Sequence, residues 1–316
     1  MSTLTNTRQP GSIFRRYPGN PILKPSLWPY PANAVFNPGA TEFHGETLLL
    51  VRVEDLRGFS HLTVAKSKDG RTNWRISPHP TLQPDVNFQE EPYGLEDPRI
   101  VRLSEEGKYA ITYVSFSLGG PLVSLMMTED FHTFHRMGPL LPPEDKDASL
   151  FPRRFKGRFA LIHRPIIRRE AHIWICFSPD LRHWGDHRVV IPRRPGWWDC
   201  HKVGLGAQPI ETPEGWLLIY HGIRLAASGS LYRVGLALLD LEEPWKLISR
   251  SEEWVLSPST QYEQVGDVPG VVFPTGAVLD RGTNELRLYY GAADKVIGLA
   301  TADLGELTRF VKHYQI

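Results

Sequence analysis

Cysteine is scarce in this chain: Cys176 and Cys200 are the only two in 316 residues. That excludes a disulfide framework and a four-cysteine zinc site, and it fits a reducing compartment. Long apolar runs are also missing. No segment approaches the roughly 18 consecutive apolar residues of a membrane span, and the opening MSTLTNTRQPGSIFRRYPG has no apolar signal-peptide core. A cytoplasmic protein without a membrane partner is expected. Neither sign of charge dominates, since 36 basic residues face 35 acidic ones for a net charge of +1. The bulk electrostatics therefore offer nothing to nucleic acid, and any anion must be recognised locally. Sustained helical periodicity is absent as well.

Several chemical signatures are lacking. There is no H-E-x-x-H, no C-x-x-C, no G-x-S-x-G and no Walker-type glycine loop. Of the 12 histidines, only His183 and His187 stand at even loose ligand spacing. No metal and no organic cofactor are expected.

What the chain has in quantity is punctuation and flat side chains: 27 glycines, 27 prolines, 9 tryptophans and 11 tyrosines. This composition suits short strands joined by tight turns. A proline-marked segment followed by a turn and an apolar strand recurs at Pro38, Pro98, Pro152, Pro209 and Pro274, at intervals of 60, 54, 57 and 65 residues. A second marker, an aspartate near the end of a later strand, recurs at Asp69, Asp130, Asp180, Asp240 and Asp303, at intervals of 61, 50, 60 and 63. Two unrelated markers in phase imply five strand-rich units. The expected fold is all-β, a five-bladed β-propeller spanning 1–316 as one domain, with residues 1–30 as an N-terminal extension that runs outside or closes the ring. That extension is also a candidate contact for a homo-oligomer.

In such a fold equivalent strand ends face one central channel. Asn37, Asp97, Asp147 with Ser149, and Gln208 stand beside the repeat starts. Arg52 with Glu54 and Asp55, Tyr113, His163 with Arg164, Tyr220 with His221, and Asp294 stand at the far ends of the apolar strands. Arg57, Lys146, Arg164, Lys202 and His221 form a cationic set drawn from different units, which points to a bound anion such as inorganic phosphate. Tyr93, Tyr113, Trp197, Trp198 and Tyr220 are candidates to stack on sugar rings, although core packing is the simpler reading of each tryptophan taken singly.

The segments FNPGA, RVEDLRG, GLEDPRI, DKDASLFP, LIHRP, KVGLGAQPIET, IYHGI and YYGAAD, in order from about residue 14 to the C-terminus, resemble glycoside hydrolase family 130, the inverting β-mannoside phosphorylases and related hydrolases. The resemblance implies a five-bladed propeller and a catalytic acid at Asp97 of GLEDPR. It implies phosphate binding at Lys146, Arg164, Lys202 and His221, and sugar-contacting or site-lining roles for Asn37, Arg57, Asp147 and Asp294. Many members have arginine where Lys146 stands, a departure that bears on linkage preference. The implied reaction converts a β-mannoside and phosphate into α-mannose 1-phosphate, with the proton passing through the mannose 3-hydroxyl. β-1,2-Mannobiose or short β-1,2-oligomannosides are favoured, with β-1,4 linkages as the alternative.

Inverting hydrolysis requires two carboxylates, whereas phosphorolysis requires one acid plus cations that hold the nucleophile. On this logic Asp97 is expected to be protonated by its surroundings, with Glu96 alternating away from the channel. The rival readings are a β-mannoside hydrolase on the same fold and a non-catalytic carbohydrate-binding propeller. An arabinanase-type hydrolase would want three separated acids and fewer cations.

Overall fold

Strands with apolar residues on both faces fold against one another here as five antiparallel meanders. The structure is a computed structural model that describes residues 13–167, 170–227 and 229–314. The first meander comprises Ala34–Phe43, Glu46–Glu54, Ser60–Ser67 and Arg75–Ile76, and the second Gly94–Arg102, Tyr109–Ser117, Gly120–Thr128 and His135–Pro139. The third comprises Asp145–Leu150, Phe159–Ile167, Ile173–Ser178 and Gly185–Ile191. In the fourth, the first strand is split into Lys202–Leu205 and Ile210–Thr212, followed by Gly215–Ala226, Gly229–Leu239 and Leu247–Arg250. The fifth is made of Val272–Asp280, Glu285–Ala292 and Val296–Asp303, and its fourth strand comes from the other end of the chain, where Arg15 pairs with Thr301 and Arg16 with Ala300. The N-terminal extension is thus stitched onto the last meander; its residues 1–12 lie outside the described residues.

Five apolar clusters lie between consecutive meanders. Leu50 and Leu62 meet Ile100 and Ile111 between the first and second, and Leu125 and Val101 meet Leu161 and Leu150 between the second and third. Ile175 and Ile162 meet Leu205 and Leu218 between the third and fourth, and Leu236 and Ile219 meet Leu288 and Val272 between the fourth and fifth. The fifth cluster joins Val51 and Leu49 to Tyr289 and Leu299, the last meander to the first. First strands are buried on both faces, as in Gly94–Arg102, while fourth strands such as Gly185–Ile191 are largely exposed. Burial therefore decreases from the first strand of each meander outward.

The five repeat aspartates share one job. The Oδ1 of Asp69, Asp130, Asp180 and Asp240 each accepts the two backbone N–H groups two and three residues on, an Asx turn that closes the outer connection. Asp303 uses the same geometry to cap a helix, accepting from Glu306 N–H. That helix, Leu304–Lys312, departs from the helix-free expectation; at 9 residues it is too short to show a sustained period, and Leu304, Leu307 and Val311 bury its apolar face. The proline marker is less uniform. Pro38 and Pro98 follow a bulge residue directly, but in the third meander Ala148 takes that place and Pro152 lies beyond the strand.

Candidate active site

Three first strands bulge at the same point. The register slips between Phe36 and Gly39, between Glu96 and Arg99, and between Lys146 and Ser149. The residue at each slip has left-handed backbone: Asn37 at φ 44°, Asp97 at 49° and Asp147 at 52°. Such a conformation costs a side-chain-bearing residue about 1–3 kcal/mol and is best tolerated by Asn and Asp. Residue type and bulge therefore agree, and each bulge aims a short polar side chain inward. Asp294, at φ 49°, arrives from the turn between the second and third strands of the fifth meander.

These residues meet in a cavity of about 170 Å³ lined by Asn37, Arg52, Asp97, Lys146, Asp147, Arg164, His221, Tyr232, Val268, Val271, Phe273 and Asp294. Larger hollows, including one of about 650 Å³ along Thr41–Gly45, open on the outer surface away from these groups. Gly204 packs against Asp147 and His221: a Cβ there would stand 2.2 Å from Asp147 Oδ2 and 2.5 Å from His221, so only hydrogen fits.

Asp97 Oδ1 accepts from Asn37 Nδ2 and from an Arg52 guanidinium nitrogen, each at 2.9 Å. Burial opposes its ionisation, yet the charges of Arg52 and Lys146 and the Asn37 hydrogen bond outweigh burial and bring its carboxyl down to about 2. In the free site Asp97 is therefore a carboxylate, which corrects the expectation that its surroundings keep it protonated. Glu96 differs from expectation too. Because the bulge breaks strand alternation, Glu96 does not turn away: its Oε1 takes the other Arg52 nitrogen at 2.8 Å and its Oε2 lies 3.4 Å from Lys146 Nζ.

Asp147 is held by Arg164 Nε at 2.9 Å and by Arg99 at 3.5 Å, and burial notwithstanding, the charges of Arg164 and Arg99 hold its carboxyl below the ordinary range. Arg99, fully buried, also donates to the carbonyls of Gly206 and Leu205 and so ties the second meander to the fourth. Burial pulls His221 down to about 3, leaving a neutral ring with neither nitrogen hydrogen-bonded. It is a polar donor or acceptor here and not part of the cationic set. Lys202 lies just outside the lining, and burial, followed by the positive charges of Arg164 and Lys146, holds its ammonium below the ordinary value.

Asp294 behaves oppositely to Asp97. Burial pushes its carboxyl up; Arg52 opposes, the negative charges of Asp97 and Glu96 add to the rise, and it settles at about 6. A folded pKa above the unfolded 3.8 means that the folded state binds more protons between those values. The stabilising contribution is thus complete below about 4 and is lost as pH rises through 6. Asp294→Asn should then raise the melting temperature by several degrees at pH 7.5, on the order of 2–3 kcal/mol at most, and leave it unchanged at pH 4. Calorimetry at both pH values checks this, and destabilisation at pH 7.5 would refute it.

Of the sequence-derived candidates, the cavity gathers Asn37, Asp97, Lys146, Asp147, Arg164, His221 and Asp294. Arg57 is not brought in: its side chain is 75% exposed and folds back on Asp55. None of the proposed stacking aromatics lines the cavity. Tyr113 donates to Glu91, Tyr220 is buried under Trp198 and donates to Asp199, Trp197 donates to the Glu252 carbonyl, and Tyr93 packs near Phe59 and Phe116. Tyr232 and Phe273 supply the aromatic wall instead. Sequence reasoning puts Arg52 at a strand end but assigns it no role; the signal was a lone charge inside the apolar run LLLVRV.

A sequence profile of glycoside hydrolase family 130, described as beta-1,4-mannooligosaccharide phosphorylase, matches residues 18–313. The chain is 36% identical over 299 residues to the 1,2-beta-oligomannan phosphorylase of Thermoanaerobacter sp. (strain X514), covering 90% of this chain and 96% of that one. It is 32% identical over 314 residues to the beta-1,4-mannooligosaccharide phosphorylase of Ruminococcus albus, covering 96% and 92%. The solved beta-1,2-mannobiose phosphorylase of Listeria innocua, in complex with beta-1,2-mannobiose, superposes with a TM-score of 0.87 at 30% identity, covering 95% of this chain and 99% of that one. With the profile spanning nearly its whole length, this chain belongs to glycoside hydrolase family 130.

Proposed function

We propose that the protein catalyses inverting phosphorolysis of β-mannosides, with β-1,2-mannobiose or short β-1,2-oligomannosides preferred over β-1,4 linkages, releasing α-mannose 1-phosphate. The observation that carries this reading is the clustering of like charge: Lys146, Arg164 and Lys202 lie close enough for the first two to depress the third. Glu96 and Asp147 each face one of these cations, but three of them gathered at one cleft still favour a further anion, and phosphate supplies both the charge and the nucleophile. One phosphate oxygen attacks the anomeric carbon as the bond to the leaving oxygen breaks, and that oxygen takes a proton originating at Asp97.

Asp97 begins as a carboxylate because Arg52 and Lys146 hold it so. A phosphate anion seated against Lys146 would screen that charge and raise the proton affinity of Asp97, which then takes up one proton from dihydrogen phosphate or solvent before passing it to the leaving oxygen. His221, whose Nε2 stands 3.4 Å from Asp147 Oδ2 and neither of whose ring nitrogens is hydrogen-bonded, offers phosphate a hydrogen bond.

The five meanders, with the fifth packed on the first, are best read as a single five-bladed β-propeller domain closed by Arg15–Arg16. We place it in the cytoplasm, with phosphate as co-substrate and no metal or organic cofactor in turnover. Among the described residues no helix is long and apolar enough to cross a membrane.

The test is incubation of β-1,2- and β-1,4-mannobiose with and without phosphate. The expected result is α-mannose 1-phosphate formed only with phosphate, faster from the β-1,2 substrate. Free mannose released equally in both conditions would establish the hydrolase instead, and binding without turnover the non-catalytic reading.

A further inference from the structure

The third meander carries a second group of titratable side chains, outside the cavity. Phe159–Ile167, Ile173–Ser178 and Gly185–Ile191 are consecutive antiparallel strands and contribute His163, Cys176 and His187 respectively. Cys176 pairs with Leu161, so His163, two residues on, lies diagonally across on the same face. His187 falls where the register slips. Ile175 faces Arg188 and Phe177 faces Gly185, which leaves Asp186 and His187 together opposite Cys176. Asp186 has left-handed backbone at φ 54°, and the bulge turns the His187 ring back over the sheet. The two imidazoles and the thiol end with ligand atoms within 4.8 Å of one another.

The hydrogen bonding fixes which atoms are available. His163 Nδ1 lies 2.7 Å from Asp145 Oδ2, so Nδ1–H donates to that carboxylate and Nε2 carries the lone pair. That Nε2 faces His187 Nδ1 at 3.4 Å, long for a hydrogen bond between ring nitrogens. The separation matches one edge of a tetrahedron, because two nitrogens each about 2.0–2.1 Å from a zinc ion stand roughly 3.4 Å apart. A carboxylate behind a histidine is also how metal-ligating imidazoles are commonly oriented. A thiol beside two imidazoles selects a thiophilic divalent cation over magnesium or calcium.

We propose that His163 Nε2, Cys176 Sγ and His187 Nδ1 bind one thiophilic divalent cation, with Zn²⁺ the best fit and the fourth position open to solvent beside the exposed His187. Binding replaces the Cys176 thiol proton with the metal and releases that proton; the thiolate and Asp145 then balance the charge of the dication. The ion would clip three strands of one meander together. It takes no part in the mannoside reaction, although Asp145 links the two regions by accepting the Arg164 backbone N–H at 3.0 Å.

The test uses metal-stripped protein titrated with Co²⁺ as a spectroscopic probe. The expected result is one equivalent bound, with tetrahedral visible bands and a thiolate-to-cobalt charge-transfer band, all displaced by Zn²⁺. His187→Ala, which removes an exposed side chain, should weaken binding about tenfold or more, and Cys176→Ser should abolish the charge-transfer band. Because Cys176 is buried in the core, His187→Ala decides the matter where the serine variant does not fold. Cys200→Ser should leave every signal unchanged, and Zn²⁺ should raise the melting temperature of the wild type more than that of His187→Ala. No charge-transfer band in the intact protein, a band untouched by His187→Ala, or one lost in Cys200→Ser would each overturn the proposal.

Discussion

Asp97→Asn is expected to lower kcat/KM for β-1,2-mannobiose phosphorolysis by about 10²–10⁴-fold, the range that general acid catalysis commonly supplies. The fold should survive, for a local reason: the position has left-handed backbone, and Asn37 shows the same conformation carried by asparagine at the equivalent bulge. Arg52 keeps its contact with Glu96, so no buried guanidinium is left without a counter-charge. Removing one negative charge from a cavity that attracts anions should leave phosphate affinity unchanged or tighter. Steady-state kinetics and calorimetric phosphate titration together make the test. Turnover near the wild-type rate would sink the assignment of Asp97 as proton source, and lost phosphate binding would show that the substitution acts by disordering the site.

The repeat was legible in the sequence because each of its markers answers to backbone chemistry. An aspartate that accepts two successive N–H groups closes the outer turn four times, and capping a helix lets Asp303 keep the beat at the fifth. The proline marker was looser, since what three of the first strands share is a left-handed residue at the bulge, and proline is merely a frequent neighbour. Ala148 after Asp147 satisfies the same backbone. The C-terminal helix stayed hidden because two turns do not establish a period.

In the site, the inward acids and Asn37 were readable because Asn and Asp beside repeat starts are the residues a bulge tolerates. Protonation states were not readable. Asp97 and Asp294 are both largely buried carboxyls, and burial raises both; they part because the charges of Arg52 and Lys146 and the Asn37 hydrogen bond outweigh burial at Asp97, whereas the charges of Asp97 and Glu96 add to it at Asp294. Arg57 looked equivalent to the inward cations by position, yet Asp55 two residues away captures it locally. The histidine pair suggested by spacing, His183 and His187, is separated by the fold: His183 turns to Asp180 and His187 to His163.

Arg164→Ala should raise the KM for phosphate by about 10–100-fold while changing that for mannobiose by less than about threefold. A charge-assisted hydrogen bond is worth roughly 1.5–3 kcal/mol, and each 1.4 kcal/mol is tenfold in affinity. Arg164 also neutralises Asp147 from 2.9 Å, so its removal leaves that carboxylate to Arg99 and the neutral His221, and the added negative potential further disfavours phosphate. Lys202 would respond in the opposite sense: with a cationic neighbour gone, its ammonium is held less far below the ordinary value. Arg164→Lys, which keeps the charge but not the planar fork, should fall between wild type and alanine. Initial rates with both substrates varied separate the two KM values. If both rise equally, Arg164 acts by shaping the whole cavity, and the anion must be sought nearer Lys146 and Lys202.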